Sequence, residues 1–134
     1  VRYLLDTNTC IRYLNGRAPA VPTHLAAVPL VDVAVCAPVK AELYYGAARS
    51  QDPARSRARQ EAFLRVFVSL PFEDSAAQSY GRIRADLATR GTPIGANDLL
   101  IAAIALAAGL ILVTHNTGEF GRIAGLALED WELP

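Results

Sequence analysis

Sulfur and histidine are scarce in this chain: Cys10, Cys36, His24 and His115 are the only such residues among 134. Two cysteines allow at most one bridge, a weak basis for a disulfide-held secreted scaffold, so free thiols in the cytoplasm are the expectation. Both fall in apolar surroundings and read as packing residues. No Cys/His spacing of the zinc-binding kind is present, which leaves the two histidines to packing or incidental hydrogen bonds. Net charge is missing as well. Thirteen basic and thirteen acidic residues cancel, which argues against coating nucleic acid by bulk attraction while leaving room for a local basic surface. Lysine is almost absent, so positive charge is carried by arginine, whose rigid donor fork suits phosphate or carboxylate. The longest apolar run, 99–113, is interrupted at Gly109 and falls short of the roughly 20 residues of a membrane span. No signal-peptide pattern precedes it, and no membrane partner is expected. Repeats, linkers, low-complexity tracts and Walker or dinucleotide glycine patterns are all lacking.

What is present is a hydrophobic content of 52%, enough for a real core in a single domain over 1–134. Short apolar runs alternate with helical patterns. Tyr3–Leu5 reads as a central strand, followed by a helix through Ile11 and Leu14 that Asn15-Gly16 stops. A short helix is expected around His24 to Val28, then a buried strand at Val33–Cys36. Pro38 suits the first turn of the next helix, on which Val39, Glu42, Leu43 and Gly46 share a face. A polar helix runs from about Asp52 into Phe63, Leu64 and Phe67. Val68–Leu70 is a third strand ended by Pro71, Asp74–Ala88 a helix, and Arg90–Pro93 a turn. A helix over Ala96–Ala108 leads into a fourth strand, Leu110–Val113, and Leu126–Leu128 is a candidate edge strand. Gly46, Gly91 and Gly95 read as close-packing or turn positions. Alternation of this kind implies a three-layer α/β/α domain around a central parallel sheet, with active groups beyond the carboxyl ends of its strands.

Four acids stand where such a fold could turn them inward: Asp6 after the first strand, Glu42 on the third expected helix, Asp98 opening an apolar helix, and Glu119 in 114–120. Burying isolated carboxylates is expensive, so several in one cleft imply paired partners or a hard cation. Like charges held together repel and raise one another's proton affinity; a divalent ion offsets both effects. Mg²⁺, or Mn²⁺ in its place, would also activate water and stabilise charge in phosphodiester hydrolysis. Asp6, Glu42, Asp98 and Glu119 are therefore the candidate metal ligands, with Thr7 and Asn116 as hydrogen-bonding residues for water or phosphate oxygens, Asn116 being able to orient a carboxylate as well. Individually, Asp6 and Asp98 also suit helix N-termini, and Thr7 a cap. Their force lies in the constellation.

At these residues the sequence resembles the PIN-domain ribonucleases, and among them the VapC-type toxins of type II toxin–antitoxin pairs. The likeness rests on Leu4-Leu5-Asp6-Thr7-Asn8, on Ala41-Glu42-Leu43-Tyr44-Tyr45-Gly46, on Asn97-Asp98-Leu99-Leu100-Ile101-Ala102-Ala103, and on Leu112 through Phe120. Gly125-Leu126 and Glu129-Asp130-Trp131 extend it to the end of the chain. Many relatives carry an Asp in the closing loop where this chain has Asn116, with Glu119 three residues on.

The resemblance implies a metal-dependent endoribonuclease acting on structured RNA such as tRNA or rRNA, a homodimer, and a VapB-type antitoxin whose tail reaches the acidic cleft. Leu14, Tyr44-Tyr45, Phe63 and Phe67 are candidate apolar contacts for such partners. Five arginines between 49 and 65, set against Asp52 and Glu61, form a candidate RNA-facing surface, and Arg82, Arg84 and Arg90 a second. The competing reading is a non-catalytic PIN-like module that binds RNA or a protein through the same fold.

Overall fold

Tyr3–Leu5 forms β1 with all three residues buried, and the computed structural model, which describes Val1–Pro134, builds the molecule outward from it. β2 (Val33–Cys36) lies parallel on one side, pairing Tyr3 with Val33 and Leu4 with Ala34. On the other side β4 (Ile111–Val113) aligns Leu4 with Leu112 and Leu5 with Val113. Outside β2 lies β3 (Val68–Leu70), and outside β4 lies β5 (Leu128–Glu129). The resulting sheet is entirely parallel, in the order β3-β2-β1-β4-β5, and helices flank it in a three-layer α/β/α arrangement. Continuous apolar strands follow from that geometry, since a parallel sheet is covered on both faces.

The chain order reverses direction at β1. From β1 it moves outward to β2 and β3, then returns to place β4 on the other side of β1. Such a switch opens a crevice beyond the carboxyl ends of the two strands. The helices that feed this crevice are held by local chemistry. Asp6 caps α1 (Thr7–Leu14) by accepting from the Thr7 backbone N–H. The third helix, α3 (Ala37–Ala48), follows α2 (Ala20–Ala26) and carries Pro38 in its first turn, where no N–H is needed. Pro53 does the same for α4 (Pro53–Leu64), with the Asp52 side chain accepting from Arg55 N–H. α5 (Asp74–Thr89) packs along α6 (Ala96–Ala108), whose Ile101, Ala102, Ala103, Ile104 and Ala105 are all buried. Small residues let that helix approach its neighbours closely, and Gly109 at φ 67° ends it in the left-handed conformation a side chain would strain.

Several boundaries differ from the sequence reading. α2 begins at Ala20 rather than near His24, because Pro22 falls in the first turn and its missing N–H breaks nothing. β5 occupies 128–129 rather than 126–128, since pairing with Leu112 and Val113 decides its register. Residues 117–120, read as loop, form the one-turn helix α7 (Thr117–Phe120). Phe63 and Phe67 belong to the core, stacked edge to face at 5.0 Å, and are not a free interface. Gly46 is not a close-packing position: a methyl group there would meet nothing within 4 Å. Cys10 and Cys36 are buried free thiols. No helix is long and apolar enough to cross a membrane.

Candidate active site

Asp6 leaves β1 at the switch point and is only 2% exposed. Its Oδ1 accepts from Thr7 N–H at 2.8 Å and its Oδ2 from the Thr114 hydroxyl at 2.8 Å. No basic residue pairs with it. Burial chiefly, then the charges of Asp98 and Glu42, push its pKa up to about 6 against the donation from Thr114 and Thr7. Cys36 beneath it is likewise raised, to about 11, mainly by burial.

α3 brings in Glu42, whose Oε1 accepts from the Thr7 hydroxyl at 2.8 Å. Thr7 is thus turned toward an acid rather than left free for water or phosphate, and it ties α1 to α3. α6 supplies Asp98 from its first turn, half-buried and without a hydrogen-bond or ion-pair partner in the protein. Burial first, then Glu42 and Glu119, raises its pKa. α7 brings Glu119 to the same crevice, where its Oε2 accepts from the Asn116 side-chain amide at 2.7 Å. Asn116 therefore orients an acid, and its own backbone N–H donates to Thr114 Oγ1 at 3.0 Å. Thr114 was not singled out from sequence. Its hydroxyl, wholly buried after β4, links the loop backbone to Asp6.

Mutual charge effects join Asp6 to Asp98 and Glu42, and Asp98 to Glu42 and Glu119, so the four form one electrostatic unit. The side chains as they stand do not close into a group of three that could hold a metal ion. Two of the carboxylates are tied to threonine hydroxyls in this arrangement. The donor set is nonetheless all carboxylate oxygen, partnered only by neutral donors, with Asp98 partnered by none. That chemistry fits a hard divalent cation and fits a zinc-type nitrogen and sulfur set poorly.

The histidines lie elsewhere. His24 stacks on Trp131 at 5.5 Å and bonds the Leu133 carbonyl, and His115 Nδ1 meets Asp130 Oδ2 at 2.8 Å. Among the arginines, Arg57 lies 3.7 Å over the Tyr44 ring and pairs with Glu61, Arg49 lies over exposed Tyr45, and Arg90 pairs with Asp86. Such pairing lowers the charge they offer to RNA.

A family model described as PIN domain matches residues 3–126. A curated relative from Shigella flexneri, "tRNA(fMet)-specific endonuclease VapC", is 39% identical over 131 residues, covering 98% of both chains. "Ribonuclease VapC2" of Haemophilus influenzae (strain ATCC 51907 / DSM 11121 / KW20 / Rd) is also 39% identical over 131 residues at the same coverage. The solved structure of DNA-bound VapBC from Salmonella typhimurium superposes with a TM-score of 0.93 at 37% identity, covering 98% of each chain.

Proposed function

This chain belongs to the PIN-domain family, in the branch of the VapC ribonucleases, and from that premise we propose that it is the endoribonuclease toxin of a toxin–antitoxin pair. The substrate is a structured RNA of the tRNA class, as the name of the Shigella flexneri relative suggests. Its partner is a VapB-type antitoxin, in keeping with the VapBC complex that the fold resembles, and the working unit is a cytoplasmic homodimer. The observation that carries the reading is Asp6: a carboxylate 2% exposed, at the switch crevice, beside three further acids and paired with no basic side chain.

Asp6, Glu42, Asp98 and Glu119 would hold Mg²⁺ or Mn²⁺, which when bound supplies an activated water and offsets charge developing on the phosphate and leaving oxygen. Thr114 and the Thr7 backbone fix the Asp6 carboxylate, the Thr7 hydroxyl fixes Glu42, and Asn116 fixes Glu119. Each of these donors favours the charged form of the acid it touches. At Asp6 the two donors oppose the burial and the neighbouring charges that raise its pKa.

The test is cleavage of tRNA by the purified protein with Mg²⁺ or Mn²⁺, with and without chelator, alongside Asp98→Asn. Defined products that chelator abolishes, and a loss of roughly 100-fold or more in Asp98→Asn, are expected. Cleavage that survives both treatments overturns the metal-dependent reading, and RNA binding without cleavage points to the non-catalytic module.

A further inference from the structure

α7 is a single turn, and a helix of four residues has no stability of its own. It carries Glu119, so whatever holds its two ends decides where the fourth acid stands. The far end is held by Phe120, which is wholly buried. At the near end Asn116 makes no side-chain cap, because its amide is given to Glu119 Oε2 at 2.7 Å. Glu119 is thereby fixed only as well as Asn116 is.

Asn116 follows His115, and His115 is anchored outside the crevice. β4 and β5 run parallel with Val113 beside Glu129, and Thr114 N–H donates to the Glu129 carbonyl at 2.9 Å, so residues 115 and 130 leave the sheet side by side. There His115 Nδ1 donates to Asp130 Oδ2 at 2.8 Å, since a carboxylate can only accept. Asp130 is a firm post. Its other oxygen accepts from Glu132 N–H at 3.0 Å. Trp131 beside it is 2% exposed and packs 5.1 Å from the Tyr3 ring of β1, and Glu132 meets Arg12 of α1.

The two partners differ in a way that bears on what the bond does. The Asp130 side chain is 11% exposed and that of His115 59%. A polar contact so open to water on one side adds little to overall stability. Its consequence is local: it fixes the backbone one residue before Asn116.

We infer that His115 is a positioning residue for Glu119: its bond to Asp130 sets the exit of the loop from β4, so that Asn116 holds Glu119 in the crevice near Asp98. The inference rests on the metal-dependent ribonuclease reading above. His115 acts through Asn116 and itself touches none of the four acids. The C-terminal tail thereby supports the site from outside it. Groups that orient a ligand from behind in this way change metal affinity or activity by about tenfold or more when removed.

The test makes His115→Ala and Glu119→Gln singly and together, alongside His115→Asn, whose amide nitrogen takes the place of Nδ1. Three quantities are read: Mg²⁺ affinity by calorimetry, kcat and KM for tRNA cleavage, and, in the metal-free protein, hydrogen exchange at Phe120 and Gly121. Those two amides close α7 onto the carbonyls of Asn116 and Thr117. His115→Ala is expected to weaken Mg²⁺ binding and to lower kcat by about tenfold each, with KM unchanged, and to speed exchange at both amides. His115→Asn is expected to restore all three. Added to Glu119→Gln, His115→Ala is expected to change affinity and kcat by less than about twofold, because a residue that acts through Glu119 then has nothing left to act on. Losses that multiply in full, parental affinity and kcat in His115→Ala, or no rescue by His115→Asn each overturn the inference alone. Loss of the fold in His115→Ala, read by circular dichroism, would make the residue structural and also overturns it. A parent that neither binds Mg²⁺ nor cuts tRNA overturns the metal-dependent reading, and this inference with it.

Discussion

Two sets of buried acids lie in this molecule, and they are treated in opposite ways. In the C-terminal tail, the Asp130 and Glu132 side chains are 11% and 8% exposed, and each has a cation in contact, His115 and Arg12 respectively when the histidine is protonated. In the crevice, Asp6 is as deeply buried but meets only the Thr7 N–H and the Thr114 hydroxyl, and Asp98 meets no donor at all. The tail shows that the fold can bring an arginine across 120 residues of sequence to an acid when closure of the structure is all that is required. The crevice withholds that arginine. Its carboxylates are kept short of positive charge and supported only by groups that would remain useful if a cation arrived, and burial raises the pKa of Asp6 and Asp98.

Asp6→Asn breaks the contrast most severely. It keeps volume and removes charge, so metal-dependent cleavage should fall by roughly 100-fold or more. Stability in chelator should move the other way. Asp6 binds its proton more tightly folded than unfolded, with pKa about 6 against 3.8, so between about pH 4 and 6 the unfolded chain ionises first and stability falls as pH rises. Below that window both states are protonated and the loss is absent; above it the loss is complete, at most about 3 kcal/mol. Asp6→Asn should lack this slope and be more stable than the parent at neutral pH. Denaturant titrations of both proteins in chelator from pH 4 to 7 check it, and parallel curves would remove Asp6 from its assigned role.

Much of this contrast is legible in the sequence. Apolar triplets bounded by Pro71, Gly109 and the Asp6-Thr7-Asn8 turn mark β1, β3 and β4, and parallel order follows from the helical patterns between them. The positions of Asp6 and Asp98 at strand and helix ends follow in turn. What escaped depends on partners distant in sequence. Thr114 reads as one more β-branched residue after a strand, and only the crossing of β4 beside β1 aims its hydroxyl at Asp6. The Thr7 hydroxyl reads as a donor for water or phosphate, and its contact with Glu42 depends on side-chain placement that spacing does not encode; that Asn116 can orient a carboxylate is legible, and that the carboxylate is Glu119 is not. Phe63 and Phe67 show the same helical spacing whether they face a core or a partner. Gly46 looks like any helix glycine until the space above it is seen to be empty.

A smaller effect is expected from the two threonines, and it sharpens the distinction between holding an acid and merely touching it. Thr114→Val removes a wholly buried hydroxyl that donates to a carboxylate and accepts from Asn116 N–H. About 2 kcal/mol of stability should be lost at neutral pH, because a hydrogen bond to a charged group is removed and a backbone donor is orphaned. At low pH, where Asp6 is protonated, the loss should shrink. Thr7→Val removes one partly buried bond to Glu42 and should cost about 1 kcal/mol, with cleavage reduced by roughly tenfold. Equal losses from the two at every pH would mean that neither threonine acts through the charge of its acid.

The smallest effect belongs to the tail, and it decides whether the cation response is confined to the crevice. Arg12 is 44% exposed and also donates to the Arg17 carbonyl at 3.1 Å, so its bond to Glu132 is open to water on one side. A double-mutant cycle over Arg12→Ala and Glu132→Gln should give a coupling below about 1 kcal/mol that weakens with salt. Arg12→Ala alone should destabilise more than Glu132→Gln, because it strands a carboxylate whose Oε2 already lacks a partner. Tail and crevice acids then differ in one measurable respect. Mg²⁺ should raise the melting temperature of the parent and of Arg12→Ala by the same increment, since a lone stranded carboxylate is a poor site for a hard divalent ion, and should leave Asp6→Asn nearly unchanged. If Mg²⁺ instead rescues Arg12→Ala selectively, the ion is answering any unpaired acid in the molecule, and the arrangement of the crevice has lost its special claim to it.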